Sequence, residues 1–154
     1  MTKYSQKYIQ TRDIDWFAKV SLPDGRNFPI HVASRGNDLP SFVNNKEHNR
    51  TIQSLVANKM ELPLRYEPYD DVVYVGYDDI QNLTNEEKLY LSSFGEMAHQ
   101  GFYSFDNIIE DDVTYRLIAH PSQVLVDDIL QLLPQWPNKL IPTTILEQLA
   151  QSKI

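Results

Sequence analysis

A chain of 154 residues with 42% hydrophobic, 11% aromatic and 23% charged residues has the size and composition of one globular domain, which excludes a disordered or fibrous protein. The absence of cysteine removes disulfides, thiolate nucleophiles, zinc–thiolate sites and iron–sulfur clusters, and suits a reducing cytoplasm. The net charge of −7 is unevenly spread: nine Lys and Arg face five Asp and Glu in the first 60 residues, whereas five face sixteen in the rest. Such asymmetry concerns the surface offered to a partner rather than the fold.

No apolar run approaches the roughly 20 residues of a membrane span, and the N-terminus lacks the apolar stretch of a secretory signal. A cytoplasmic protein with no membrane association is the expectation. Residues 1–12 have no core pattern and are expected to fray at the chain end.

Residues 14–21 and 28–34 read as two strands, joined through Leu22-Pro23-Asp24-Gly25-Arg26-Asn27, whose Pro-Asp-Gly supplies turn chemistry. Pro29 has no N–H for a ladder, so the second strand lies at an edge or pairs only beyond that point. A loop over 35–40 leads to Asn44 or Asn45, either able to cap a helix over 46–59 with Ile52, Leu55, Val56 and Met60 on its apolar face. The β-branched and aromatic run Asp71-Val72-Val73-Tyr74-Val75 predicts a strand ending near Gly76.

Thr84 and Glu87 form a capping box for a helix over 85–99. Its stripe is Tyr90, Leu91, Phe94, Met97 and Ala98, with Gly95 inside it for close packing and Gly101 at the left-handed C-terminal position. Residues 102–105 and 113–119 predict an antiparallel pair. Val126, Ile129, Leu130 and Leu133 give a helical face stopped by Pro134 and Pro137, and a short C-terminal helix within 135–154 follows Thr144, paired with Glu147 as a second capping box. The expected fold is therefore one α+β domain over 1–154, with a largely antiparallel sheet of about five strands and three to four helices packed on one face.

Four Asp-Asp pairs, at 70–71, 78–79, 111–112 and 127–128, raise the question of a two-metal site. Asp70 and Asp78 stand roughly 26 Å apart along an extended strand, too far to share metals spaced about 4 Å. Asp127 and Asp128 suit the positive end of a helix dipole, and Asp111 and Asp112 suit a strand connection. No metal or cofactor is expected. Asp70, Asp71, Asp78 and Asp79 differ from the others because Tyr69, Tyr74 and Tyr77 accompany them, and tyrosine is enriched in protein interfaces.

None of His31, His48, His99 and His120 has a second histidine at ligand spacing. Glu96-x-x-His99 lacks the second pair and the extra glutamates of a carboxylate-bridged iron site, so His99 reads as serving a helix C-terminus. His120-Pro121-Ser122 has the His-x-Ser form found in two-histidine phosphoesterases, but His31-Val32-Ala33 lacks the matching hydroxyl. No nucleophile elbow, Walker loop or dinucleotide fingerprint occurs. Lys3, Tyr4, Lys7, Tyr8 and Arg12 interleave cations with rings, yet three positive charges are few for a nucleic-acid binder and the acidic remainder argues against direct nucleic-acid binding.

The sequence favours a small acidic, non-enzymatic protein of immunity-like or anti-defence-like type. It would inhibit or bind a basic protein partner through Tyr69, Asp70, Asp71, Tyr74, Tyr77, Asp78 and Asp79. The first alternative is a small hydrolase or phosphoesterase using His31, His120 and a carboxylate such as Glu96; the second is a subunit that self-associates as a homo-oligomer through opposite charges.

Overall fold

Pro23, Asp24 and Gly25 reverse the chain between β1 (Asp15–Ser21) and β2 (Asn27–Ala33), which pair antiparallel from Asp15 opposite Ala33 to Ser21 opposite Asn27. Gly25 sits at φ +93°, a conformation other L-residues rarely adopt, and Leu22 N donates to Arg26 O to close the loop. The Asp24 carboxylate accepts from Arg26 N at 3.0 Å and from its Nε at 2.9 Å. The Arg26 backbone bond leads the influences that hold the Asp24 carboxyl below its ordinary value of 3.8, followed by partial desolvation acting the other way and then by the Arg26 guanidinium. A lowered folded-state pKa contributes stability above the unfolded value and loses it as pH falls through the folded one. Asp24→Asn is therefore expected to flatten the stability profile only below about pH 4, in urea titrations at stepped pH, and to leave the slope above pH 5 unchanged.

The structure, a computed structural model, describes residues 3–56, 64–66, 85–107, 115–121 and 127–152. The elements are α1 (Gln6–Thr11), β1, β2, α2 (Lys46–Val56), β3 (Leu64–Tyr66), α3 (Asn85–His99), β4 (Tyr103–Asn107), β5 (Tyr115–Pro121) and α4 (Thr143–Ala150). Among the described residues a five-stranded sheet has the order β1-β2-β4-β5-β3, with β2 and β4 parallel and the other neighbours antiparallel. This is the expected α+β architecture with its largely antiparallel sheet. β2 lies inside the sheet, and its pairing with β4 begins at Ile30, just beyond Pro29, so the missing N–H costs no ladder bond there.

Strand alternation sends alternate side chains to opposite faces. Trp16, Val20, Phe28, Ile30, Val32, Tyr103, Phe105, Tyr115 and Leu117 form one core with Trp136, Ile141 and, from α4, Ile145 and Leu149. Across the sheet, Leu91, Phe94 and Ala98 of α3 pack on Ala33, Ile118 and Ala119, while Ile52 of α2 joins Phe17, Phe102 and Leu133. The covering of one face thus describes α2 and α3; the short α4 and the Trp136 segment close the other.

Asn45 precedes α2 and caps it, its Oδ1 accepting from His48 N at 3.1 Å, and the helix is described as far as Val56. α3 spans the expected residues, and Gly101 follows it at φ +106°. Two expectations give way. Residues 127–132 form a 3₁₀ helix instead of an α-helix, and Pro134, which disfavours helical backbone at Leu133, ends it. Thr144 is not a cap: α4 starts at Thr143 after Pro142, with no side-chain capping bond, and Thr144 O instead accepts from Gln148 Nε2. The predicted strand at 71–75 and the box at Thr84 and Glu87 lie outside the described residues and side chains.

The open edge of β1 is covered. Lys19 N donates to Pro134 O at 2.8 Å and Trp136 N donates to Lys19 O at 2.9 Å, so residues 134–136 run alongside β1 as a short parallel bridge. Among the described residues, no helix is long and apolar enough to cross a membrane.

Candidate functional site

The α3 face of the sheet is apolar except for a polar row whose placement follows from register. Phe17 stands opposite His31, and His31 stands beside Ser104 across the parallel pair; Asp15 lies two residues before Phe17 and so shares that face. His31 Nδ1 is 2.6 Å from Ser104 Oγ, and its Nε2 is 2.7 Å from Asp15 Oδ1. An ionised carboxylate only accepts, so Nε2 carries a proton, and in the neutral ring the Ser104 hydroxyl donates to Nδ1. Gln53 Nε2 of α2 donates to the other Asp15 oxygen at 3.4 Å.

This is the connectivity of a hydroxyl, an imidazole and a carboxylate in a charge-stabilised chain. Its exposure decides its use. His31 and Ser104 are both 0% exposed, with the rings of Phe17 and Phe94 centred 5.4 and 6.2 Å from the imidazole, while the Asp15 side chain is 37% exposed. A nucleophile must be reached by its electrophile, and Ser104 is fully buried. What the arrangement does chemically is satisfy the imidazole and the hydroxyl inside an apolar layer, where each orphan costs about 1–3 kcal/mol, with Asp15 at the exposed end of the row.

The grouping of His31, Glu96 and His120 into one site is not realised. Both ring nitrogens of His31 are engaged by Ser104 and Asp15, and Glu96 is exposed on α3. His120 lies on the opposite face of the sheet, stacked on Tyr103 with centroids 5.2 Å apart and its Nδ1 donating to Pro121 O. A β-bulge is the cause. Ser104 pairs with Ala119 but Phe105 pairs with Leu117, so Ile118 is an extra residue that turns His120 away from the His31 face.

One step along that face, Arg35 Nη1 meets Asp106 Oδ2 at 2.9 Å; the carboxylate is 2% exposed and Arg116 is its cross-strand neighbour. Arg35 holds φ +52°, with its N–H donating to Asp13 Oδ1. This buried carboxylate, paired with the Arg35 guanidinium, ties the loop after β2 to β4 and was not singled out by sequence, where Arg35 reads as loop and Asp106 as a strand end.

Tyr69, Asp70, Asp71, Tyr74, Tyr77, Asp78 and Asp79 lie outside the described residues. Their connection starts after β3, which among the described strands lies outermost beyond β5, and ends at α3. Among the described residues no cluster of three or more His, Asp and Glu is arranged to hold a metal ion. Comparison of the chain with protein-family models, with curated proteins and with solved structures finds no match in any of the three.

Proposed function

We propose that this is a non-enzymatic binding protein that captures and inhibits a basic protein, in the manner of an immunity or anti-defence factor. The acidic, tyrosine-bearing stretch 67–79 is its contact surface. The observation that carries the reading is the charge of that stretch: Glu67, Asp70, Asp71, Asp78 and Asp79 with no Lys or Arg, alongside Tyr69, Tyr74 and Tyr77. Dense like charge speeds capture of a complementary surface, and tyrosines supply the anchors that charge alone does not. The burial of Ser104 and His31 supports the same reading, because the best nucleophile–base pair among the described residues is sealed from substrate.

The test compares the natural chain with a variant in which Asp70, Asp71, Asp78 and Asp79 become Asn, each used to capture partners from lysate at about 50 and 200 mM salt. A basic protein retained by the natural chain at low salt, and lost at least tenfold in the variant, is the expected result. Equal recovery by both chains with equal salt sensitivity sinks the acidic surface as the contact.

A further inference from the structure

The sequence places Lys3, Tyr4, Lys7, Tyr8 and Arg12 at a chain end; the structure gives that end a fixed form and adds a cation to it. Tyr4 N donates to Asn44 Oδ1 at 2.7 Å, and the side chain of Asn49, itself 2% exposed, donates to Tyr4 Oη at 3.4 Å. α1 is thereby tied to the start of α2. The rings of Tyr4 and Tyr8 stack with centroids 5.5 Å apart and planes 16° from parallel, and Tyr8 remains 37% exposed.

Lys46 Nζ stands 5.7 Å from the Tyr4 ring and 5.6 Å from the Tyr8 ring, while the Arg12 guanidinium stands 5.0 Å from the Tyr8 ring. Two cations from different helical segments are therefore held over one aromatic pair, of which Tyr8 is exposed and Tyr4 half-buried. Among the described residues neither is neutralised by an ion pair. Lys3 and Lys7 are exposed on the same segment. The three cations counted along the N-terminal sequence thus omit Lys46, which only the docking of α1 beside α2 brings in.

We infer that Tyr4, Tyr8, Arg12 and Lys46 form a docking surface for a single-stranded nucleic acid, with phosphates on the cations and a base on the exposed Tyr8 ring. Charge complementarity draws any polyanion, but an acidic peptide uses only the cations, whereas a single strand uses the stacked rings as well. A duplex offers phosphates with its bases already stacked inside. The acidic remainder of the chain keeps the contact short, to a few nucleotides, and strongly salt-dependent. The inference is independent of the reading for 67–79, since the two surfaces share no residue.

Fluorescence anisotropy of labelled oligothymidylate and oligouridylate, each about 15 nucleotides long, with the full-length chain at about 50 mM salt tests the surface. Both strands are expected to bind, and a DNA duplex of equal length to bind at least fivefold more weakly. Arg12→Glu with Lys46→Glu is expected to weaken binding at least tenfold and to lower the log–log salt slope by about 1.4, two phosphates' share. Tyr8→Ser is expected to weaken it about fivefold or more, and Tyr8→Phe to retain it, which separates stacking from loss of fold. The inference is overturned by absence of binding at low salt, by indifference to these variants, or by a polyglutamate peptide binding as tightly as the strands with no dependence on Tyr8.

Discussion

His31→Ala is expected to lower stability by about 3–5 kcal/mol, near a third of what a domain of this kind has in total. The side chain is fully buried between Phe17 and Phe94, so truncation leaves a cavity in a layer that α3 cannot fill without moving. It also strands the Ser104 hydroxyl, which is 0% exposed and donates to the ring, and deprives Asp15 of its charge-assisted bond. Ser104→Ala leaves only Nδ1 without its donor and is expected to cost about 1–2 kcal/mol. Urea unfolding of both single variants and the double variant measures the coupling; because His31→Ala already removes the ring, adding Ser104→Ala to it should cost far less than Ser104→Ala alone. In a thermal melt the His31→Ala shift is expected near 10 °C. A loss under about 1 kcal/mol for His31→Ala would mean that the ring is not held as described.

The same residues mark what a sequence can and cannot reveal. The β1–β2 hairpin is legible because Pro-Asp-Gly encodes its turn locally, and α3 because its stripe repeats over fifteen residues. β3 is three residues long and carries no alternation to detect. The Asp15–His31–Ser104 row joins residues 16 and 73 positions apart, and no motif spans such distances. Half of it was within reach: a hairpin register through Pro-Asp-Gly puts Phe17 opposite His31 and Asp15 on the same face. Ser104 was not, since the parallel partnership of β2 and β4 depends on everything that folds between them. The β-bulge at Ile118 is equally silent in sequence, yet it decides that His120 faces Tyr103 rather than His31. Lys46 joins the Tyr4–Tyr8 pair for a similar reason, through a tertiary contact made by Asn44 and Asn49.

Trp136→Ala is expected to cost about 3–5 kcal/mol and, unlike His31→Ala, to change how the protein behaves towards copies of itself. The indole is 2% exposed and meets Trp16 edge-on at 5.1 Å, with Tyr115 at 5.7 Å and Phe42 at 5.8 Å, so its removal opens the centre of the aromatic core. That packing also anchors residues 134–136 beside β1, where they engage both the N–H and the C=O of Lys19. Without the anchor, these groups face solvent on an unpaired strand edge, a template for intermolecular pairing. Light scattering after size exclusion should show concentration-dependent association of Trp136→Ala that salt does not dissolve, because backbone pairing rather than charge drives it. Gln135→Ala removes an exposed side chain but keeps the anchor, and is expected to stay within about 0.5 kcal/mol and to add no association. Trp136→Phe retains a ring in the cluster and should fall between the two in stability, with the β1 edge still covered. Association in Trp136→Phe equal to that in Trp136→Ala would point to the indole's size itself, rather than the strand edge, as what keeps copies apart.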